Sequence, residues 1–372
     1  MDILSAAGGG TGLIALAAVS AYRKSRLAAK ARAAASAKPA GPAPRTIDPT
    51  LYGLAPRTEL VLAGSEHDQE VAAALAAARA GDWRPAAHYL AGGGTDWDLR
   101  WSRLGPFNEL AVEDDTWLRA WRAEQPENPE AALLHIDALV GLAWKIRSGA
   151  RASDVSTEQF EGFHRVLRQA EEAAYEAVRL ARPGDPNPFV AQIPIAMGLG
   201  WSHERFAELW AELTARDPFH WSAHDRALQY WCAKWHGSHE LMHRFADHAL
   251  ATAPAGGLLS VHKLQAFYEQ FTRDNAEVAE YQRPDVAAAL AAVQADLAAA
   301  DPNHHRVQRS RGWLAFVLAK SGRGAEAVEQ FRVLGRFIPM PWLHFHDPVG
   351  AYVGHRAGAV LAALDSGALS PR

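Results

Sequence analysis

The chain has 372 residues, of which 49% are apolar and 22% are charged, and its formal net charge is −4. This composition is typical of a soluble globular protein that forms one large domain or two smaller ones. The single cysteine, Cys232, excludes an internal disulfide, so nothing indicates an oxidising compartment.

Charge is distributed unevenly along the chain. Residues 23–45 contain seven basic and no acidic side chains, and Asp2 is the only charged side chain before them. Residues 46–372 therefore contain 31 basic and 41 acidic side chains. Because phosphate contacts need clustered lysine and arginine, this acidic body predicts that no nucleic acid is bound.

Residues 3–22 form an uncharged run about as long as a membrane-spanning helix. The basic tract follows this run, whereas a cleaved signal peptide carries its positive charges in front. By the positive-inside rule, a spanning helix here leaves the body in the cytoplasm. We expect residues 1–32 to form a membrane anchor with its basic tract, and residues 3–32 to make the membrane contact. Since four glycines weaken this helix, a frayed alanine-rich tail is the alternative.

Residues 33–50 are mainly small residues and proline, which form a linker rather than a packed core. The folded domain is predicted to span 51–372. Its first half predicts helices of irregular length, with start signals at Pro129 and at the capping-box pair Ser156 and Gln159. These helices are predicted at 67–80, 83–90, 129–147 and 156–181, with short ones after Thr95 and after Asp114 or Asp115.

From residue 189 onward the predicted helices form pairs joined at glycine. They are predicted at 189–199, 203–216, 220–235, 238–252, 257–273, 284–300, 305–320, 324–337 and 348–365, with a short helix near Glu277. Asp-Pro steps precede several of them, and aspartate caps a helix whose first position tolerates proline. No stretch alternates with a period of two, and Leu60-Val61-Leu62 is too short for a strand. We therefore predict an all-α fold of stacked antiparallel helix pairs, irregular in its first half.

Residues 305–339 resemble a tetratricopeptide repeat, a unit of about 34 residues made of two antiparallel helices. The matching positions are Leu314 and Ala315 in the first helix, Gly322 at the turn, Ala327 and Phe331 in the second helix, and Pro339 at the end. Leu318 departs from the pattern, since an aromatic residue is usual there. Residues 219–254 look like a degenerate relative, with Gly237 at the turn and Pro254 at the end.

The string WHGSHELMHRFADHA at 235–249 is similar to a bacterial helical-repeat domain of unknown function, for which no activity is established. The tetratricopeptide resemblance implies an α-solenoid whose stacked pairs leave a groove for a peptide or protein segment. It implies a non-enzymatic scaffold or binding module that needs no cofactor. Candidate groove residues are Trp231 and Trp235, spaced to share a helix face, and His220 and His224, which are also four apart.

An alternative function comes from the sequence HELMH at 239–243. Two histidines four apart can hold one zinc, and a glutamate between them can activate the metal-bound water. This predicts a zinc-dependent hydrolase with His239 and His243 as ligands, Glu240 as the base, and His248, Glu269 or His262 as the third ligand. Against it, Gly237-Ser238 should start the helix, which would put His239 in the first turn rather than mid-helix.

Overall fold

The computed structural model of the chain describes residues 47–62, 69–148 and 155–370. The predicted anchor, residues 1–32, and linker residues 33–46 lie outside the described residues. The described part is helical, with strands of only two residues, which confirms the predicted all-α class. None of the described helices is both long enough and apolar enough to cross a membrane.

The described residues fall into two compact units, one of 69–148 with 155–253 and one of 47–62 with 254–370. The first unit contains α1 (Gln69–Arg79), α2 (Arg84–Ala91), α3 (Trp97–Glu113), α4 (Thr116–Glu124), α5 (Pro129–Arg147), α6 (Thr157–Leu180), α7 (Asn187–Val190), α8 (Ile193–Leu199), α9 (His203–Thr214), α10 (Trp221–Tyr230) and α11 (His239–Thr252). The second unit contains α12 (Val261–Asp274), α13 (Pro284–Ala299), α14 (Val307–Lys320), α15 (Gly324–Leu334) and α16 (Pro348–Asp365), with strands β1 (Val61–Leu62) and β2 (Phe337–Ile338).

Local capping explains where several helices begin. Asn128 accepts a hydrogen bond from the Ala131 N–H just before Pro129. Ser156 and Gln159 form the predicted capping box at the start of α6. Because each cap satisfies backbone donors that the first turn leaves unpaired, these boundaries follow from the sequence alone.

Tryptophan supplies much of the core of the first unit. Trp83 stacks on Trp121 with ring centroids 5.4 Å apart, and Trp144 meets Phe163 edge to face at 5.0 Å. Trp117 and Trp121 on α4 are both buried. Helix α5 packs along α6 and also against α3 and α4, so it is the central helix of this unit.

The second unit is a run of helices in contact with their neighbours. Helix α12 contacts α13 and α14, helix α13 contacts α14, and α14 contacts α15 and α16, which also contact each other. The segment after α15 crosses α14 at Gly312, where a Cβ atom would lie 2.2 Å from the Met340 carbonyl oxygen. Only glycine allows this approach without a shift of the backbone.

Residues 48–62, here called the N-terminal strap, lie against α15, β2 and α16 of the second unit. Arg332 donates to the Tyr52 carbonyl at 2.8 Å, and Arg356 donates to the Ala55 carbonyl at 2.8 Å. Val61 and Leu62 pair in parallel with Phe337 and Ile338. The sequence did not predict this pairing, because a two-residue strand has no pattern of its own and depends on a distant partner.

Several predicted helices also differ from the structure. The short helix predicted after Thr95 extends over Trp97–Glu113, the one predicted over 189–199 is divided into Asn187–Val190 and Ile193–Leu199, and the one predicted over 257–273 begins at Val261. The helix predicted over 220–235 ends at Tyr230, and the one predicted over 324–337 ends at Leu334. The prediction that Trp231 and Trp235 share a helix face is therefore wrong. Residues 231–236 form a turn instead, in which the Trp235 and Gly237 N–H groups both donate to the Cys232 carbonyl.

Candidate functional site

Most of the sequence-predicted site residues lie on α10, α11 and the turn between them, whereas His262 and Glu269, two of the proposed third zinc ligands, lie on α12 of the second unit. Ser238 caps α11 by accepting a hydrogen bond from the Leu241 N–H at 3.1 Å, which confirms the predicted helix start. Gly237 precedes it in a crowded position, because a Cβ atom there would lie 1.9 Å from the Trp231 carbonyl oxygen. The turn geometry thus requires glycine and fixes His239 as the first residue of α11.

The HELMH sequence occupies the first turns of α11. His239 and His243 are half-buried and one turn apart, whereas Glu240 is exposed. His248, a proposed third ligand, is exposed and lies five residues after His243, on a different face of the same helix. Across the described ranges, no three histidine, cysteine, aspartate or glutamate side chains are grouped so that they could hold a metal ion.

His220 is a buried structural residue at the start of α10, with 1% of its surface exposed. Its Nδ1 accepts from the Ala223 N–H at 3.2 Å, and its Nε2 lies 3.0 Å from Asn187 Oδ1. Since Nδ1 accepts, Nε2 carries the proton and donates to Asn187. Asn187 in turn donates to the Trp97 carbonyl at 3.1 Å.

His224 is buried one turn later on α10. Its Nδ1 lies 3.1 Å from the His220 carbonyl oxygen, and its ring contacts Trp210 at 5.1 Å and Phe245 at 5.7 Å. The two histidines predicted to line a partner groove are therefore held inside the chain rather than on an open surface.

Trp231 and Trp235 are half-buried in the turn after α10. Trp231 contacts Phe206 edge to face at 5.6 Å and lies 4.9 Å from the exposed ring of His203. Trp235 contacts Trp144 edge to face at 5.2 Å. These tryptophans remain partly accessible, and each is fixed in position by a core aromatic residue.

Two histidines hold this turn against the preceding helices. His203 Nε2 lies 2.7 Å from the His236 carbonyl oxygen, and His236 Nε2 lies 2.7 Å from the Met197 carbonyl oxygen. The Tyr230 hydroxyl donates to the Trp201 carbonyl at 2.8 Å, and burial raises its pKa to about 12. The turn is thus a fixed part of the first unit, which suits a recognition surface better than a mobile loop would.

A buried polar network joins α3, α5 and α10, the helix that leads into this turn. Asp98 accepts from the Ser222 N–H at 2.9 Å and from its hydroxyl at 2.7 Å. Arg226 pairs with Asp137 at 3.2 Å, and the guanidinium lies 4.6 Å from the Trp101 ring centroid. Further buried members of the network are Asn108, Asp185 and Arg100, which pairs with Glu130. Exposed Arg182 also pairs with Glu130.

Burial sets the electrostatics of this network. It raises the pKa of Asp137, an effect that Arg226 and Asn108 oppose. Burial also raises the pKa of Asp185, whereas the hydrogen bond from the Asn187 N–H and the charge of Arg100 act to lower it. Ion pairs of this kind hold helices in one arrangement, and removal of one partner leaves a buried charge that water cannot reach.

This network was not predicted from the sequence. Its members lie on predicted helices, where charged residues are usually assigned to the solvated face. The one local signal was Asp137, a charged residue within the strongly apolar helix α5, because α3 carries charged residues throughout its length. Such a signal cannot tell which charge faces which, because the partners are up to 124 positions apart.

Comparison with protein-family models, curated proteins and solved structures finds no match to this chain. The proposed function therefore depends on the geometry of the site itself.

Proposed function

We propose that the chain is a non-enzymatic helical-repeat scaffold whose stacked antiparallel helix pairs bind a segment of a partner protein. Residues 3–32 tether it to the cytoplasmic face of a membrane. The observation that supports the scaffold is the contact pattern of α12 to α16. In a stack of helix pairs, each first helix contacts its own second helix, the next first helix and the preceding second helix.

The contacts along the second unit agree with that pattern and so support the proposal. With α12, α14 and α16 taken as first helices, α12–α14 and α14–α16 are the contacts between successive first helices. The contacts α13–α14 and α15–α16 join each second helix to the following pair. At the turn between α14 and α15, Gly322 has a φ of +80°, a conformation that glycine adopts without strain.

The surface that we assign to the partner is centred on Trp231 and Trp235. Partly exposed tryptophans give large contact areas and are common at the centres of protein interfaces. Exposed His203 lies beside Trp231 and extends this surface. Buried His220 and His224 would act through position alone, by fixing the first half of α10, the helix from which the turn departs.

A photo-crosslinking amino acid placed at His203 tests this assignment. The full-length chain carrying it should give one discrete crosslinked protein in the cells that make it, and a Trp231→Ala change should weaken that product. The same probe at Tyr175, on α6 of the same unit and 69% exposed, is the matched control. Equal patterns from His203 and Tyr175 would contradict a partner surface at this turn.

The zinc-dependent hydrolase is the second candidate function. The observation in its favour is that His239 and His243 lie one turn apart on α11, as two ligands of one metal ion require. The position of His239 at the first residue of the helix and the exposure of Glu240 give it less support than the scaffold.

A further inference from the structure

We infer that the surface around Val333, at the C-terminal turn of α15, and Leu51, in the N-terminal strap, lies against an anionic lipid bilayer. This inference rests on the proposed membrane tether. It goes beyond the tether because it names the face of the folded body that the membrane covers.

The strap fixes the place where the N-terminal segment reaches the folded body. Near its start, the Tyr52 carbonyl accepts from Arg332 Nε at 2.8 Å. At its end, the Val61 N–H donates to the Arg336 carbonyl at 2.9 Å. Both contacts are made by the last turn of α15 and the residues directly after it, so the chain enters the second unit beside that turn.

Two large apolar side chains are exposed at this entry point. Val333 follows Arg332 on α15 and is 65% exposed, and Leu51 precedes Tyr52 and is 45% exposed. A single exposed apolar residue is normal on a soluble protein. Here both flank the Arg332–Tyr52 contact, where the chain leads toward a segment with an uncharged run of membrane-spanning length.

Charge on the surface itself is balanced, so the basic tract must supply the attraction to lipid. The positive charges of exposed Arg57 and Arg336 are balanced in number by the negative charges of exposed Asp48 and Glu59, and Arg332 pairs with Glu329. The preceding residues 23–45 have seven basic side chains and no acid. Basic residues next to an anionic leaflet are each attracted to it.

Chain length keeps the entry point near those charges. Arg45 is three residues before Asp48, so the two lie within about 10 Å of each other even in a fully extended chain. Lys38 is ten residues before Asp48, so the two are at most about 36 Å apart. If Arg45 binds a lipid headgroup, the bilayer surface lies within reach of Leu51 and Val333.

An environment-sensitive fluorophore on single cysteines tests the inference in the full-length chain. Val333→Cys and Leu51→Cys are labelled in a Cys232→Ala background and mixed with vesicles of phosphatidylcholine and phosphatidylserine. Val278→Cys, in the same unit and 58% exposed, and Tyr175→Cys are the matched controls. We expect a blue shift and quenching by spin-labelled lipid at 333 and 51, and neither change at 278 and 175.

Flotation of the same samples separates the possible failures. If the full-length chain floats with the vesicles while probes at 333 and 51 behave like the probe at 278, the tether stands and the membrane-facing surface is wrong. If the chain does not float, the tether fails and this inference fails with it. As a second measurement, a Val333→Glu and Leu51→Glu double variant should lower vesicle binding about fivefold, whereas Val278→Glu should not.

Discussion

The carboxylate of Asp98 on α3 caps the N-terminus of α10 from a different helix. It accepts hydrogen bonds from the Ser222 N–H at 2.9 Å and the Ser222 hydroxyl at 2.7 Å, although 124 positions separate the two residues. A negative charge at a helix N-terminus satisfies unpaired N–H groups and interacts favourably with the helix dipole. This contact places α10, and hence the turn that carries Trp231 and Trp235, relative to α3.

Replacement of Asp98 tests that cap. Asp98→Ala should lower the free energy of unfolding by about 2 kcal/mol, because a hydrogen bond to a buried charged group contributes more than a neutral one. Ser222→Ala removes only the hydroxyl bond and should cost about 1 kcal/mol. Urea denaturation at neutral pH measures both. Equal stability of Asp98→Ala and the wild type would show that the cap does not hold α10.

The pair of Asp137 and Arg226 should behave as a coupled buried ion pair. Asp137→Asn leaves the Arg226 guanidinium buried without its counter-charge, so we expect a loss of about 3–5 kcal/mol. Arg226→Met in the same chain removes the uncompensated charge and should recover much of that loss. A double-mutant cycle measures the coupling. Strictly additive single losses would contradict a direct interaction between the two side chains.

His135 on α5 should make the stability of the chain depend on pH. Burial, with help from Arg122, lowers its pKa from 6.5 to about 4. The unfolded chain therefore takes up a proton near pH 6.5, while the folded chain stays neutral until about pH 4. The contribution of neutral His135 to the free energy of unfolding is therefore complete above pH 6.5, and it is lost as the pH falls from 6.5 to about 4.

Measurement of unfolding at pH 7.5 and pH 5 isolates this effect. The wild type should lose about 2 kcal/mol more than His135→Gln over that interval, since a glutamine side chain does not titrate. The raised pKa values of Asp137 and Asp185 act in the opposite direction but are shared by both proteins. Identical pH profiles would show that His135 titrates normally in the folded chain.

Replacement of Gly237 or of Gly354 by alanine should have opposite effects on the stability of the chain. Gly237→Ala forces a Cβ atom against the Trp231 carbonyl, so the turn must shift, at a cost of about 2 kcal/mol or more. Gly354 lies within α16 with open space around it, and Gly354→Ala should stabilise by about 0.5–1 kcal/mol. Thermal unfolding distinguishes them. A neutral Gly237→Ala would mean that the turn tolerates another geometry.

Much of the helical architecture could be predicted because its signals are local. The start of α5 at Pro129 and the capping box at Ser156 depend on residues within one turn, and both were found as predicted. The last helix, Pro348–Asp365, agrees with its predicted range for the same reason. In each case aspartate, asparagine or serine satisfies the first-turn N–H groups.

The parts that escaped prediction depend on contacts between distant residues. Trp235 has helical spacing from Trp231, yet the chain leaves the helix at Tyr230 because the turn is held by His203 and His236. The cap on α10 comes from Asp98, which no nearby sequence indicates. Periodicity gives the face of a helix but not its partner, so the buried network could not be derived from it.

The most direct test of the account is the zinc content of the purified full-length chain after exposure to zinc and dialysis, measured by mass spectrometry. The proposed scaffold, in which His239 and His243 lie in the first turns of α11, should bind no stoichiometric zinc, with equal content in the wild type and in the His239→Ala, His243→Ala double variant. One zinc ion bound per chain and lost in a folded double variant would contradict it and favour the hydrolase.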